Sequence, residues 1–281
     1  MRKYILFGLL FFATYTAQAQ DIIYSRTDSL FITRLLQKHK PGAMPRGDLL
    51  LAIAHEFIGN SYVAGTLDKG KEEPLIINTQ EVDCTTFVEQ VLAIYATIRE
   101  GGNKFQAVCC NLQKIRYRNG VRKGYASRLH YISQWINDSA KQHIIREIDY
   151  GKAGSKQQID LRFMSSHPAN YKLLKEDSAM VKEIEKWEKP LRGSIIHYLP
   201  KEVLNNPFGE LPIQNGDIIA LTTNIKGLDV THMGFAFWEN GKLHLLHASS
   251  VAEKVIKDNS TLYDYQKNKK SQTGIRVFRV K

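Results

Sequence analysis

The sequence has 281 residues, with 39 Lys+Arg against 28 Asp+Glu, a net charge of +11, 43% hydrophobic residues and three cysteines. That balance excludes a disordered chain, a collagen-like or proline-rich spacer and a disulfide scaffold. The charge leaves nucleic acid, an anionic membrane surface and a small acidic substrate open as partners.

Residues 1–19 read as a secretory signal peptide. Arg2 and Lys3 give a basic start, an apolar run follows from about Tyr4 to Ala13, and Ala17-Gln18-Ala19 has the A-x-A form of a cleavage site. The apolar run is too short to span a bilayer. The competing reading is an N-terminal anchor helix. Cleavage after Ala19 removes two basic side chains and lowers the net charge from +11 to +9. The expected location is then the periplasm or the medium, with no stable membrane anchor. The three cysteines are Cys84, Cys109 and Cys110. In an oxidising compartment an odd count leaves one thiol unpaired, and a bond between neighbours 109 and 110 is strained.

Residues 20–281 read as one domain. The first two-thirds has helical periodicity. Helices are expected over 28–38 behind an Asp28 cap, 48–58 from Asp48, 84–99, 104–116, 127–137 and 178–188. Five short apolar or alternating runs then read as strands: Ser194–Leu199, Asp217–Leu221, Val230–Trp238, Leu243–Ala248 and Ile275–Val280. Asn240-Gly241 between two of them is a type I′ hairpin signal. Helices followed by an antiparallel meander make an α+β layout.

Two places carry chemistry. Asp83 can cap a helix that begins with Cys84-Thr85-Thr86-Phe87, which puts Cys84 in the first turn. The helix dipole and free N–H groups there favour thiolate and can hold an oxyanion. A buried structural cysteine, or a disulfide to Cys109 or Cys110, is the alternative. In the hairpin, a two-residue loop pairs Glu239 with Lys242. That register sets Gly234 opposite His247 and His232 opposite Ser249. His232 and His247 then share a face as diagonal neighbours, while His244 points the other way. A nucleophile, a base and a group that orients the base are the parts of a covalent acyl-transfer site. The same three residues read as zinc ligands in a second scheme, but no C-x₂-C or H-E-x-x-H spacing supports it. The primary reading takes no metal and no cofactor.

The residues also resemble a family. Asp83-Cys84-Thr85-Thr86-Phe87-Val88-Glu89 resembles the nucleophile motif of the NlpC-type cell-wall peptidases, a papain-like superfamily. Thr231-His232-Met233-Gly234-Phe235 is similar to their histidine strand, and His247-Ala248 to their third polar residue. Gly216-Asp217-Ile218-Ile219 and Gly59-Asn60-Ser61-Tyr62-Val63-Ala64-Gly65 resemble the strand and tyrosine loop that go with them. Tyr125-Ala126-Ser127-Arg128-Leu129-His130-Tyr131 and Arg162-Phe163-Met164-Ser165-Ser166-His167 look like insertion signatures of the N-acetylmuramoyl-L-alanine amidase-like group within it.

The resemblance implies a papain-like fold, with the nucleophile helix packed on the meander and helical insertions around 104–190. It implies hydrolysis of the amide between N-acetylmuramic acid and L-Ala, in peptidoglycan or muropeptide fragments. Cys84, His232 and His247 would be catalytic. Tyr62, Asp83, Thr85 and Ser249 would line the groove, with Arg128, His130, Arg162 and His167 as contacts from the insertion. Val63-Ala64-Gly65 and Thr85-Thr86 depart from the common superfamily pattern, which bears on specificity. A γ-D-glutamyl stem-peptide endopeptidase and a non-catalytic cell-wall binding module are the other functions considered. Nucleic acid is set aside, because an exported chain with no reading motif has no use for it.

Overall fold

The computed structural model describes residues 22–42, 44–68, 70 and 72–281. The signal peptide expected at 1–19 lies outside the described residues. No helix among the described residues is long and apolar enough to cross a membrane.

The N-terminal part holds β1 (Ile22–Ile23), α1 (Arg26–Lys38), α2 (Arg46–His55), β2 (Ser61–Tyr62), β3 (Leu75–Ile76), β4 (Glu81–Val82), α3 (Cys84–Arg99) and α4 (Phe105–Arg116). The middle holds α5 (Ile132–Lys141), β5 (Ile145–Glu147), β6 (Ser155–Gln158), α6 (Phe163–Ser166) and α7 (Ser178–Glu188). Then come β7 (Ile195–Pro200), β8 (Ile218–Thr223), β9 (Val230–Glu239), β10 (Lys242–Ser249), β11 (Lys254–Lys257), α8 (Leu262–Lys267) and β12 (Gln272–Val280).

Three helix starts differ from expectation. The cap of α1 is Ser25, and Asp28 is its capping-box partner. Asp28 is buried because its second oxygen accepts the Thr79 N–H at 2.7 Å and the Thr79 hydroxyl at 2.8 Å. Helix α2 begins at Arg46, directly after Pro45. Helix α5 begins only at Ile132, because Tyr125–Ser127 forms a separate 3-10 turn. Helix α7 covers Ser178–Glu188, the expected span.

The main sheet runs β4-β2-β11-β10-β9-β8-β12-β7-β6, with β5 also on β12. Strands β8 to β11 form the antiparallel meander, but β2 and β4 pair in parallel, so the sheet is mixed. The class is α+β, as expected. The hairpin register is also as expected from Lys242↔Glu239 to Leu246↔Phe235, and Asn240 and Gly241 both take the positive φ that a type I′ turn needs.

The sheet has apolar side chains on both faces. Met233, Phe235, Leu246 and Ala248 belong to the core beneath the N-terminal helices. Ala236, Leu243 and Leu245 belong to a second core on the other side. The rings of Phe57, Phe87 and Phe235 meet edge to face at 5.6 Å and tie α3 to β9. Burying each such ring stabilises the fold by about 1.5–3 kcal/mol. Residues from 125 to 196 build a third cluster around Leu161, Met164 and Ile184.

Candidate functional site

Helix α3 starts at Cys84 because Asp83 closes a capping box. Asp83 Oδ1 accepts the Thr86 N–H at 2.8 Å, and the Asp83 N–H donates to the Thr86 hydroxyl at 2.9 Å. This leaves the first-turn N–H groups of Cys84 and Thr85 without helical acceptors. The sulfur is half-buried and unbonded to any other cysteine. Backbone N–H groups of Met233 and Thr85 point at it, and the Thr85 hydroxyl lies 4.0 Å away. Burial outweighs these donors. With the added repulsion of Asp83, it pushes the thiol up to about 12. The helix terminus therefore does not yield the resting thiolate that its position suggests.

The two histidines meet directly. His232 Nε2 lies 2.6 Å from His247 Nδ1, and the rings are nearly perpendicular. The nitrogens bond each other and do not converge on a common metal position. Among the described residues no group of three or more His, Cys, Asp or Glu is arranged to hold a metal.

Alternation along β9 and β10 places both imidazoles on the face of Ala236 and Leu245, opposite to the face on which α3 packs. The β9–β10 ladder ends at Phe235↔Leu246, so His232 has no ladder partner at Ser249. Met233 lies beyond that last pair, and its backbone is close enough to the sulfur to favour the charged form. Tyr265 links the two parts: it stacks on His232 and lies within electrostatic reach of Cys84. Gly234 lets His247 pack close against β9: a Cβ there would meet Leu246 O at 2.6 Å and His247 Cβ at 2.8 Å.

Three residues that sequence reasoning missed complete the site. Asp258 Oδ2 lies 3.3 Å from His247 Nε2. The Tyr265 ring stacks on His232 and meets His247 edge-on. Lys269 Nζ sits 3.3 Å from the Tyr265 ring centroid. Tyr265 and Tyr62 both lie within electrostatic reach of Cys84. Burial, His247 and Lys269 together push His232 down to about 3. The shifts of Cys84 and His232 both run against a standing thiolate–imidazolium pair.

A family model described as N-acetylmuramoyl-L-alanine amidase-like (AmiA-like) matches residues 52–275, a stretch that contains all of these groups. The chain belongs to this family. It is 43% identical to an N-acetylmuramoyl-L-alanine amidase from Bacteroides uniformis, with a TM-score of 0.80 over 84% of this chain and 99% of that one. A Bacteroides fragilis protein described as a candidate xylanase is 47% identical, with a TM-score of 0.77 over 82% and 100%. A Legionella pneumophila protein shares the fold at 23% identity, with a TM-score of 0.69 over 90% and 94%. Among curated proteins none matches the chain.

The remaining candidates within the family match are dispersed. Arg128 is buried, with Nε and one terminal nitrogen on Glu73 at 2.9 and 2.7 Å and the other on Asp68 at 2.8 Å. Its guanidinium anchors the loop after Tyr62. His130 rests on the Tyr125 ring, with Nε2 2.9 Å from the Tyr125 carbonyl, and burial beside Arg128 lowers it to about 3. Arg162 is 51% exposed and pairs with Asp160. His167 is exposed and stacked on Phe163. Ser249 is buried and accepts the Ala252 N–H. Tyr62, Asp83 and Thr85 are half-buried around Cys84. No sequence spacing announced the partners of Arg128, because Glu73 and Asp68 lie 55 and 60 residues earlier.

Proposed function

We propose that the protein is a thiol-dependent cell-wall amidase that hydrolyses the amide between N-acetylmuramic acid and L-Ala. The observation that carries this reading is the His232–His247 hydrogen bond, joined by Tyr265 to the neighbourhood of the Cys84 sulfur at the start of α3. The Bacteroides uniformis relative carries the same activity in its name. We place the chain in the NlpC-type, papain-like superfamily on the order Tyr62, Cys84, His232, His247. The expected export of residues 20–281 would deliver it to peptidoglycan.

The neutral resting pair favours general-base activation over a standing ion pair. Cys84 gives its proton to His232 Nδ1, the ring nitrogen not engaged by His247, as the sulfur attacks the lactyl carbonyl. The Cys84 N–H and the Tyr62 hydroxyl stabilise the oxyanion. Burial near Cys84 and Asp83 raises the Tyr62 phenol, so it stays a donor. The C–N bond then breaks, and His232 returns the proton to the amine of L-Ala. Water, deprotonated by His232, cleaves the thioester and frees the lactyl carboxylate and the thiol.

A glycoside hydrolase reading, as the Bacteroides fragilis name suggests, needs two facing carboxylates. Here Asp258 is bonded to a histidine and Asp83 to a helix start, so neither flanks a sugar bond.

Mass spectrometry of digested muropeptides tests the proposal. Wild type should release an intact peptide with N-terminal L-Ala and a free lactyl carboxylate, and Cys84→Ala should release neither. Fragments cut after γ-D-Glu would instead establish the endopeptidase. No cleavage by wild type would leave a binding module.

A further inference from the structure

We infer that Asp258 is a positioning residue: through His247 it fixes which nitrogen of His232 is free to take the thiol proton. The inference rests on the thiol mechanism above and is argued from the hydrogen-bond chain. Strand β11 ends at Lys257 beside β10, and the Asp258 N–H donates to Leu245 O at 2.9 Å. That bond delivers the carboxylate to His247. Oδ1 accepts the Ser260 N–H at 2.8 Å, while Oδ2 faces His247 Nε2 at 3.3 Å. Burial opposes the charge, but the bonds from His247 and Ser260 hold the carboxyl below its ordinary range. Ionised, it is acceptor-only.

The tautomers then follow in sequence. His247 Nε2 must carry the hydrogen that Asp258 accepts. In a neutral ring His247 Nδ1 is therefore bare. It accepts from His232 Nε2 at 2.6 Å, so His232 Nε2 carries the hydrogen. His232 Nδ1 is left with a free lone pair. A carboxylate two bonds from the base thus selects the tautomer able to deprotonate Cys84. The proton from the thiol stops at His232, whose charge Asp258 offsets through His247.

An amide at this position should reverse the chain. In Asp258→Asn the Ser260 N–H still needs an acceptor, so the amide oxygen stays there and the NH₂ turns to His247. His247 Nε2 must then accept, Nδ1 donates to His232 Nε2, and His232 Nδ1 carries the hydrogen. Asp258→Ala imposes no tautomer. The amide should therefore be the worse variant, although it is the closer mimic in shape. We expect kcat on muropeptide to fall about 10²-fold or more in Asp258→Asn, toward the ~10⁴-fold loss of a wrong-tautomer triad. Asp258→Ala should lose about tenfold, and KM should change little in both. ¹⁵N NMR of the wild-type protein should show His232 protonated at Nε2, and of Asp258→Asn at Nδ1.

An Asn variant as active as Ala or better, or a wild-type His232 protonated at Nδ1, would overturn the inference. If neither variant folds, the wild-type spectrum still decides. Cleavage that survives Cys84→Ala would overturn the thiol mechanism itself. An inactive Cys84→Ala together with an Asn variant no worse than Ala would sink only the role of Asp258.

Discussion

Tyr265 stacks on His232, with ring centroids 6.4 Å apart and planes inclined by 25°. The phenol covers the imidazole, and burial is the largest cause that keeps His232 neutral, followed by His247 and Lys269. Neutral His232 is the form that accepts a proton, so activity should be lost only when acid protonates it. The acid limb of kcat/KM should therefore lie far below the ordinary histidine value of about 6.5. Tyr265→Ala uncovers the ring and should move that limb up by about one unit or more, and Lys269→Met should move it the same way by less. Tyr265→Phe keeps the ring and should leave it in place. Equal limbs in Tyr265→Ala and wild type would remove burial as the cause.

The thiol makes a second pH prediction. Burial and Asp83 push Cys84 up to about 12. Alkylation needs thiolate, so the iodoacetamide rate at Cys84 should rise about tenfold per pH unit from pH 7 to 10 with no plateau. The measurement is peptide mass spectrometry in a Cys109→Ser, Cys110→Ser background. A fast, pH-independent rate at neutral pH would instead indicate a standing thiolate–imidazolium pair. Slow labelling is what the proposed general-base mechanism expects, so it does not by itself argue for a binding module.

What the sequence disclosed follows from how local each signal is. The Asp83 cap, the α3 stripe and the Asn240-Gly241 turn are each set by residues a few positions apart, and all three appear where expected. The His232–His247 contact came from the register of that same turn. Asp258, Tyr265 and Lys269 come from a four-residue strand, a six-residue helix and the loops beside them, which carry no readable period. The end of the β9–β10 ladder was equally silent, since alternation continues through it in sequence. Arg128, expected as a substrate contact, is paired with Glu73 and Asp68, partners that no local spacing announces.

Arg128 tests that last point. Its side chain is 11% exposed and that of Glu73 4%. Arg128→Ala leaves the buried Glu73 carboxylate without its cation and with only the Tyr117 hydroxyl as donor, a loss of about 3–5 kcal/mol. Arg128→Met with Glu73→Gln should recover much of it. Arg162→Ala, which breaks an exposed pair, should stay within about 1 kcal/mol of wild type. Urea unfolding of the four proteins checks the order. An Arg128→Ala variant of wild-type stability but weakened substrate binding would return this residue to the groove.

Gly234 offers a steric test of the His232–His247 pair. Its φ is not in the left-handed region, so alanine brings no backbone strain there. The only obstacle is contact, at 2.6 Å to Leu246 O and 2.8 Å to His247 Cβ. Leu246 O is backbone in the middle of the sheet and cannot yield, so the added methyl should push His247 and lengthen its bond to His232. Overpacking of this kind costs about 1–3 kcal/mol, which a folded domain tolerates. The loss in kcat should be larger than that cost implies if His247 orients the base as proposed. We expect Gly234→Ala to fold, to lower kcat by about 10²-fold, and to leave KM near wild type. Circular dichroism and muropeptide kinetics measure both. A Gly234→Ala enzyme of full activity would mean that the His232–His247 bond does not set the rate.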